Sequence, residues 1–320
     1  MRSARMKSVL KWLGILLLAG VAVLTAGSLY LLSYALQPRE AMRGKHASAY
    51  EYMYDEYPFL RTWVDSLDRR GALRDTVIAG RSGERLHALY IAAPEPTDRT
   101  AVVVHGYTDE AVRMLMIGYL YNHDLGYNVL LPDLYGHGGS DGRAIRMGWL
   151  DRLDVLRWME VANEIFGGDT RMVVHGISMG AATTMMVSGE ELPSYVKCFV
   201  EDCGYTSVRD QFAKELGERF GLPAFPLLDV ADLLCRVKYG WGFREASALE
   251  QVRKCDRPML FIHGDADDFV PTSMVYPLFE AKPGDKELWV VPGAAHAMSY
   301  RDNREEYTQR VARFVERYVG

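Results

Sequence analysis

Three observations in this 320-residue chain predict an α/β domain built on a mostly parallel, eight-stranded sheet flanked by helices. From residue 76 onward, short apolar runs alternate with longer amphipathic stretches, the order in which strands and helices succeed one another. Most of the later runs lack polar alternation, as strands covered on both faces should. The pentapeptide Gly176-Ile177-Ser178-Met179-Gly180 joins one such run, Met172-Val173-Val174, to a helix-like stretch, the pattern of a strand-to-helix turn that presents a serine. Two appendages are also expected: a helical cap insertion and an N-terminal transmembrane helix.

In chain order, the first element is the segment Trp12 to Leu36, which carries no charge. Its about 25 residues suffice to cross a hydrocarbon core of roughly 30 Å. A cleavable secretory signal has an apolar region of only about 7 to 15 residues, so residues 1–36 read better as an uncleaved signal-anchor, with Ser33-Tyr34-Ala35 as an alternative cleavage site. Arg2, Arg5, Lys7 and Lys11 precede the span. The positive-inside tendency would keep them in the cytoplasm and carry the remainder of the chain across, against the opposing bias of Arg39, Arg43 and Lys45. The lipid bilayer is therefore the expected partner of residues 12–36. Beyond the span the chain is more acidic than its overall net charge of −5, which argues against nucleic acid as a partner.

Residues 37–75 read as a polar, helical connector. Its aromatic stretch, Tyr50, Tyr52, Tyr54 and Tyr57, runs into Phe59-Leu60 and Trp63-Val64 at helical spacing, a stripe expected to pack on the domain that follows. Residues 76–320 form the main domain. Its expected strands are 76–79, 86–92, 101–104, 129–131, 172–174, 198–200, 259–262 and 288–291, and its expected helices 110–125, 150–166, 179–189 and 303–318. Residues 204–257 break this rhythm by separating two strands with a long stretch containing Leu222-Pro223-Ala224-Phe225-Pro226 and Tyr239-Gly240-Trp241-Gly242-Phe243. Long insertions on such scaffolds are commonly functional, and this one has the aromatic content of a cap over a pocket. Cys198, Cys203, Cys235 and Cys255 lack paired C-x-x-C spacing, so no zinc site is expected, and buried free thiols are the plainer reading than disulfides.

A nucleophilic serine needs a base, a carboxylate to hold that base, and donors for the oxyanion. After the seventh run comes His263-Gly264-Asp265-Ala266-Asp267-Asp268-Phe269-Val270-Pro271, with three carboxylates in one turn, and after the eighth comes Pro292-Gly293-Ala294-Ala295-His296, with an imidazole. Asp202, after the sixth run, is a rival for the acid. The segment from His105 to Glu110 does not form a metal-ligand pattern, and H-E-x-x-H is absent, so neither metal nor cofactor is expected.

The order serine, acid, histidine resembles that of the α/β-hydrolase superfamily. The chain resembles more narrowly the single-pass, membrane-anchored bacterial hydrolases related to serine aminopeptidases and to the prolyl-oligopeptidase catalytic domain. The resemblance runs from about residue 76 to the C-terminus. It implies that Asp267 is the acid, through a pattern of His-Gly, two residues, Asp, two residues, Val-Pro. It also implies that the backbone amides of Tyr107, in His105-Gly106-Tyr107, and of Met179 form the oxyanion hole. The turn from Asp133 to Ser140 resembles a superfamily turn of structural role, so His137, like His175 and His263, is expected to be scaffold. The expected activity is hydrolysis of small-molecule acyl esters by Ser178, His296 and Asp267 through an acyl-enzyme. A peptidase or aminoacyl amidase is the alternative enzyme, and a membrane-tethered binding protein that keeps the fold without turnover is the alternative of another class.

Overall fold

The computed structural model describes residues 2–38, 46–81 and 83–320, with side chains from residue 5 onward. Arg39, Arg43 and Lys45, which bear on the expected topology, lie outside the described residues.

Helix α1 (Arg2–Leu36) is continuous, and residues 5–23 are exposed on every side. From Leu24 onward one face turns inward, and Ser28, Leu32 and Leu36 are buried at four-residue spacing, one stripe of the helix. Leu32 and Leu36 belong to the same apolar cluster as the central sheet. Two hydrogen bonds fix this end: Ser28 Oγ donates to the Leu227 carbonyl at 3.1 Å, and the Ile145 amide donates to the Leu36 carbonyl at 2.7 Å. The connector folds as α2 (His46–Glu56) and α3 (Phe59–Arg70). Helix α3 buries Leu60, Trp63, Val64 and Leu67 at i, i+3, i+4 and i+7. Trp63 and Phe59 meet the Tyr119 ring edge-on, so the aromatic stripe packs on the domain as expected.

The eight strands are β1 (Leu73–Ala79), β2 (Arg85–Ile91), β3 (Arg99–Val104), β4 (Asn128–Pro132), β5 (Arg171–Ile177), β6 (Val196–Asp202), β7 (Met259–Gly264) and β8 (Lys286–Val291). Their spatial order is β1-β2-β4-β3-β5-β6-β7-β8, antiparallel across β1, β2 and β4 and parallel thereafter. Strands β3, β4, β5 and β7 are buried almost throughout, which is why their sequences are unbroken apolar runs. Strand β1 begins at Leu73, earlier than expected; it is an edge strand with four of its seven residues exposed and none buried, so no apolar run announces its start.

Helices α4 (Leu115–Tyr119), α5 (Asp151–Ile165), α6 (Met179–Ser188), α7 (Val208–Phe220), α8 (Leu227–Tyr239), α9 (Ala248–Val252), α10 (Val275–Ala281), α11 (Ser299–Asp302) and α12 (Arg304–Val319) complete the fold. The single helix expected over 110–125 is a 3₁₀ turn (Ala111–Met114), α4 and a π-helical turn (Leu120–Asp124). The change of pitch lets Leu120, Tyr121 and Asn122 all be buried. There the Asn122 amide donates to the carbonyls of Ala92 and Tyr127 at 3.1 and 2.9 Å. The insertion over 204–257 contains α7, α8 and α9, with α8 packed against α1. All four cysteines are free and buried.

Candidate active site

The functional candidates sit on loops at the carboxyl ends of parallel strands, where α/β sheets gather ligands. Ser178 follows β5 and begins the turn into α6 with φ 58° and ψ −120°, a region that residues with side chains enter only under constraint. The constraint is visible in the neighbours. The Ser178 amide donates to the Asp202 carbonyl at 2.8 Å. A Cβ on Gly176 would overlap the Gly180 carbonyl, and one on Gly180 would overlap the Val104 carbonyl, so only glycine lets α6 approach β3 and β5 this closely.

His296 follows β8 and lies between the other two candidates. Its Nε2 is 2.8 Å from Ser178 Oγ, and its Nδ1 is 2.7 Å from Asp267 Oδ2. An ionised carboxylate only accepts, so Nδ1 carries the proton and Nε2 is left to accept from the serine hydroxyl. The ring rests against Phe269, with centroids 4.9 Å apart. The Asp267 side chain is shielded from solvent, and its Oδ1 accepts from the Phe269 and Val270 amides at 3.0 and 2.9 Å. Burial opposes its ionisation, but hydrogen bonds from His263 and His296, the electrostatic pull of the His296 ring and the Val270 amide outweigh that and hold the carboxyl well below the usual range.

Asp202, the rival acid, points elsewhere: its oxygens accept from Ser299 Oγ at 3.2 Å and Tyr307 OH at 3.1 Å. Burial raises its pKa to about 6. His137 and His175 are buried, and burial pushes each down to about 3. His175 is held between Tyr121 OH and Tyr307 OH, and His137 Nδ1 bonds to the Tyr135 carbonyl. His263 sits behind the acid, its Nε2 2.9 Å from the Val270 carbonyl and 3.4 Å from Asp267 Oδ2. His105 Nε2 accepts from the Leu134 amide, so Nδ1 donates to the Gly106 carbonyl, fixing the turn that leads to Tyr107. Two groups of potential metal ligands occur among the described residues, His46 with His87 and Asp133, and Cys203 with Asp267 and His296. In both, the carboxylate oxygens already accept from backbone amides and histidine rings, an arrangement suited to hydrogen-bonded hubs.

Ser178 and His296 open into a cavity of about 450 Å³, also lined by Tyr107 and Met179. The insertion supplies Phe212, Leu216, Leu228 and Phe243, so it does cover a pocket. Three contributions were not legible beforehand. The end of α1 forms one wall through Leu31, Leu32, Tyr34 and Ala35, and Tyr107 OH donates to the Ala35 carbonyl at 2.8 Å. Met147 and Tyr205 come from loops of no distinctive pattern, the Tyr205 hydroxyl donating to the Met147 carbonyl. Cys203, beside Asp267 and His296, has φ 54°. Phe269 also lines the cavity and lies inside the acid-bearing turn that the sequence marks.

The fold and the arrangement of strand-end loops define an α/β-hydrolase. Solved structures of similar fold include the Pyrococcus furiosus esterase Pf2001, 23% identical with TM-score 0.62 over 78% of this chain and 93% of that one. Another is Est1E from Butyrivibrio proteoclasticus with bound ferulic acid, 20% identical with TM-score 0.61 over 76% and 99%. Residues 118–320 match the prolyl oligopeptidase family of peptidases, and the chain belongs to that family. Among its relatives is YqkD of Bacillus subtilis, an uncharacterized protein 33% identical over 227 residues, which span 71% of this chain and 74% of YqkD. Rv2307c of Mycobacterium tuberculosis, also uncharacterized, is 27% identical over 226 residues, 70% of this chain and 72% of its own.

Proposed function

We propose that this chain is a serine hydrolase that cleaves carboxylic esters through an acyl-enzyme. The observation that carries the reading is the unbroken relay from Ser178 Oγ through His296 to Asp267, with links of 2.8 and 2.7 Å. His296 Nε2 takes the hydroxyl proton as Ser178 attacks the acyl carbonyl, then returns it to the leaving alkoxide; water resolves the ester by the same path. Asp267, held ionised, fixes the tautomer and stabilises the imidazolium. The backbone amides of Tyr107 and Met179 receive the oxyanion, so those two side chains are left to shape the cavity.

Ester rather than peptide cleavage is supported by the apolar lining and by the likeness in fold to the Pyrococcus furiosus esterase Pf2001. The charged side chains at the cavity, Glu215 and Arg219, bond to each other, which leaves neither dedicated to a peptide terminus. The open cavity reaching Ser178 speaks against a retired, non-catalytic scaffold. In the domain organisation we propose, residues 1–36 are a signal-anchor, 37–75 a connector and 76–320 the catalytic domain with its cap at about 204–257. The anchor leaves the N-terminus cytoplasmic and the catalytic domain on the far side of the membrane.

Fluorophosphonate labelling of the full chain tests the reading. Labelling lost in Ser178→Ala and His296→Ala is expected. Equal labelling of parent and Ser178→Ala would sink the assignment, and a panel of esters beside aminoacyl amides ranks the two substrate classes.

A further inference from the structure

We propose that the substrate is a bilayer-resident, long-chain acyl ester, reached from the membrane along the seam between α1 and the cap, with α1 itself a wall of the acyl pocket. This rests on the serine-esterase and anchor readings above.

Length supplies the first argument. A helix rises 1.5 Å per residue, so crossing roughly 30 Å takes about 20 residues. Counted from Trp12, the first residue past Lys11, that stretch ends at Leu31. Snorkelling by Lys11 through one turn moves the end back only to Gly27. Yet α1 meets the catalytic domain within this stretch: Leu24 and Thr25, before either point, are already partly covered, and at Gly27 and Ser28 the helix lies against the Leu227 side chain and bonds to the Leu227 carbonyl. The anchor cannot span the hydrocarbon unless the start of α8 sinks to the level of the acyl chains.

The surface of α8 is built for that depth. Phe225, just before it, is 76% exposed, and Leu233 and Val237, one turn apart, are 61% and 79% exposed. Such a cluster beside a membrane-spanning helix is what an interfacial face presents. Asp229, on the same stripe, is neutralised by ion pairs with Arg209 and Arg244, and the charges beside Val237, Arg236 and Lys238, are cationic, as suits contact with anionic headgroups. Tyr30 and Tyr34 stack on the exposed side of α1, just past the Ser28 contact with α8, the position of an aromatic belt.

The cavity opens at this level. Its rim includes Tyr34 and Phe220, both partly exposed and edge-to-face at 5.7 Å, and its wall continues inward through Leu31, Leu32 and Leu228 to Ser178. A chain leaving the bilayer at the rim stays among apolar side chains until its carbonyl meets the serine. The volume of about 450 Å³ is within the usual range for sites that enclose most of a ligand.

The test uses the full chain in phosphatidylcholine vesicles carrying 1-oleoylglycerol, with p-nitrophenyl butyrate in the aqueous phase as the soluble ester. The double variant Leu233→Glu/Val237→Glu touches neither the relay nor the cavity. It is expected to lower oleate release about tenfold or more, the loss from withdrawing even one such side chain from hydrocarbon, while butyrate hydrolysis is retained. Leu31→Trp is expected to shift chain-length preference toward shorter acyl groups. The proposal is overturned if the parent cleaves butyrate but not oleoyl ester, if the double variant matches the parent on both, or if it loses both equally. Absence of fluorophosphonate labelling in the parent would instead remove the serine reading, and this proposal with it.

Discussion

At the scale of single residues, the site is a set of groups whose protonation is set by their surroundings. Asp267→Asn would leave a neutral amide against His296 Nδ1, reverse the tautomer preference and lower kcat by about 10⁴-fold, read from initial rates on a soluble ester. Glu201 offers a separate prediction away from the reaction. It is fully buried, its Oε2 accepts from the Gly204 amide, and burial raises its pKa to about 8. The folded chain therefore binds this proton where the unfolded chain, near its ordinary value of about 4.3, has released it. The contribution of Glu201 is thus greatest at acid pH and declines as pH rises from about 4.3 to 8. Glu201→Gln should weaken the fall in melting temperature across that window; an unchanged slope would show that the group does not titrate as described.

At the scale of elements, the elbow depends on helix, strand and turn meeting without Cβ atoms. Gly180→Ala would drive a methyl into the Val104 and His105 carbonyls, and neither backbone can yield. Destabilisation above about 3 kcal/mol is expected in urea unfolding, with fluorophosphonate labelling lost in any folded fraction. Helix α1 divides at Leu24 into an exposed part and a part that belongs to the hydrolase core. Removing residues 1–36 would take away Leu32 and Leu36, leave the Ile145 amide without its acceptor and open the cavity beside Tyr107. At about 1.5 to 3 kcal/mol for each buried leucine, the truncated chain should lose roughly 3 kcal/mol or more against the full chain in the same detergent. Equal denaturation midpoints would mean that α1 docks without contributing to the fold.

For the whole molecule, the proposed topology puts the catalytic domain across the membrane from the N-terminus. Asp68 is exposed on α3, and the native cysteines are buried, so Asp68→Cys gives a single accessible thiol. A membrane-impermeant maleimide should label it on intact cells; labelling only after lysis would reverse the topology.

The sequence by itself determined the sheet, the elbow and the turns that bear the candidate triad. Buried parallel strands must be apolar runs, and a serine on a strained turn needs small neighbours on either side; both demands are local and leave a written pattern. It also marked α1 as long and apolar enough to cross a bilayer. What only the tertiary structure decided were relations between distant segments. Asp265, Asp267 and Asp268 share one turn, and it is the packing of β7 beside β8 that aims Asp267 at His296, while Asp202, at the end of β6, is engaged by Ser299 of α11 and Tyr307 of α12. The docking of α1 on α8 was equally invisible, because leucines suited to lipid and leucines suited to a protein core are the same residues, and only their neighbours in space tell them apart.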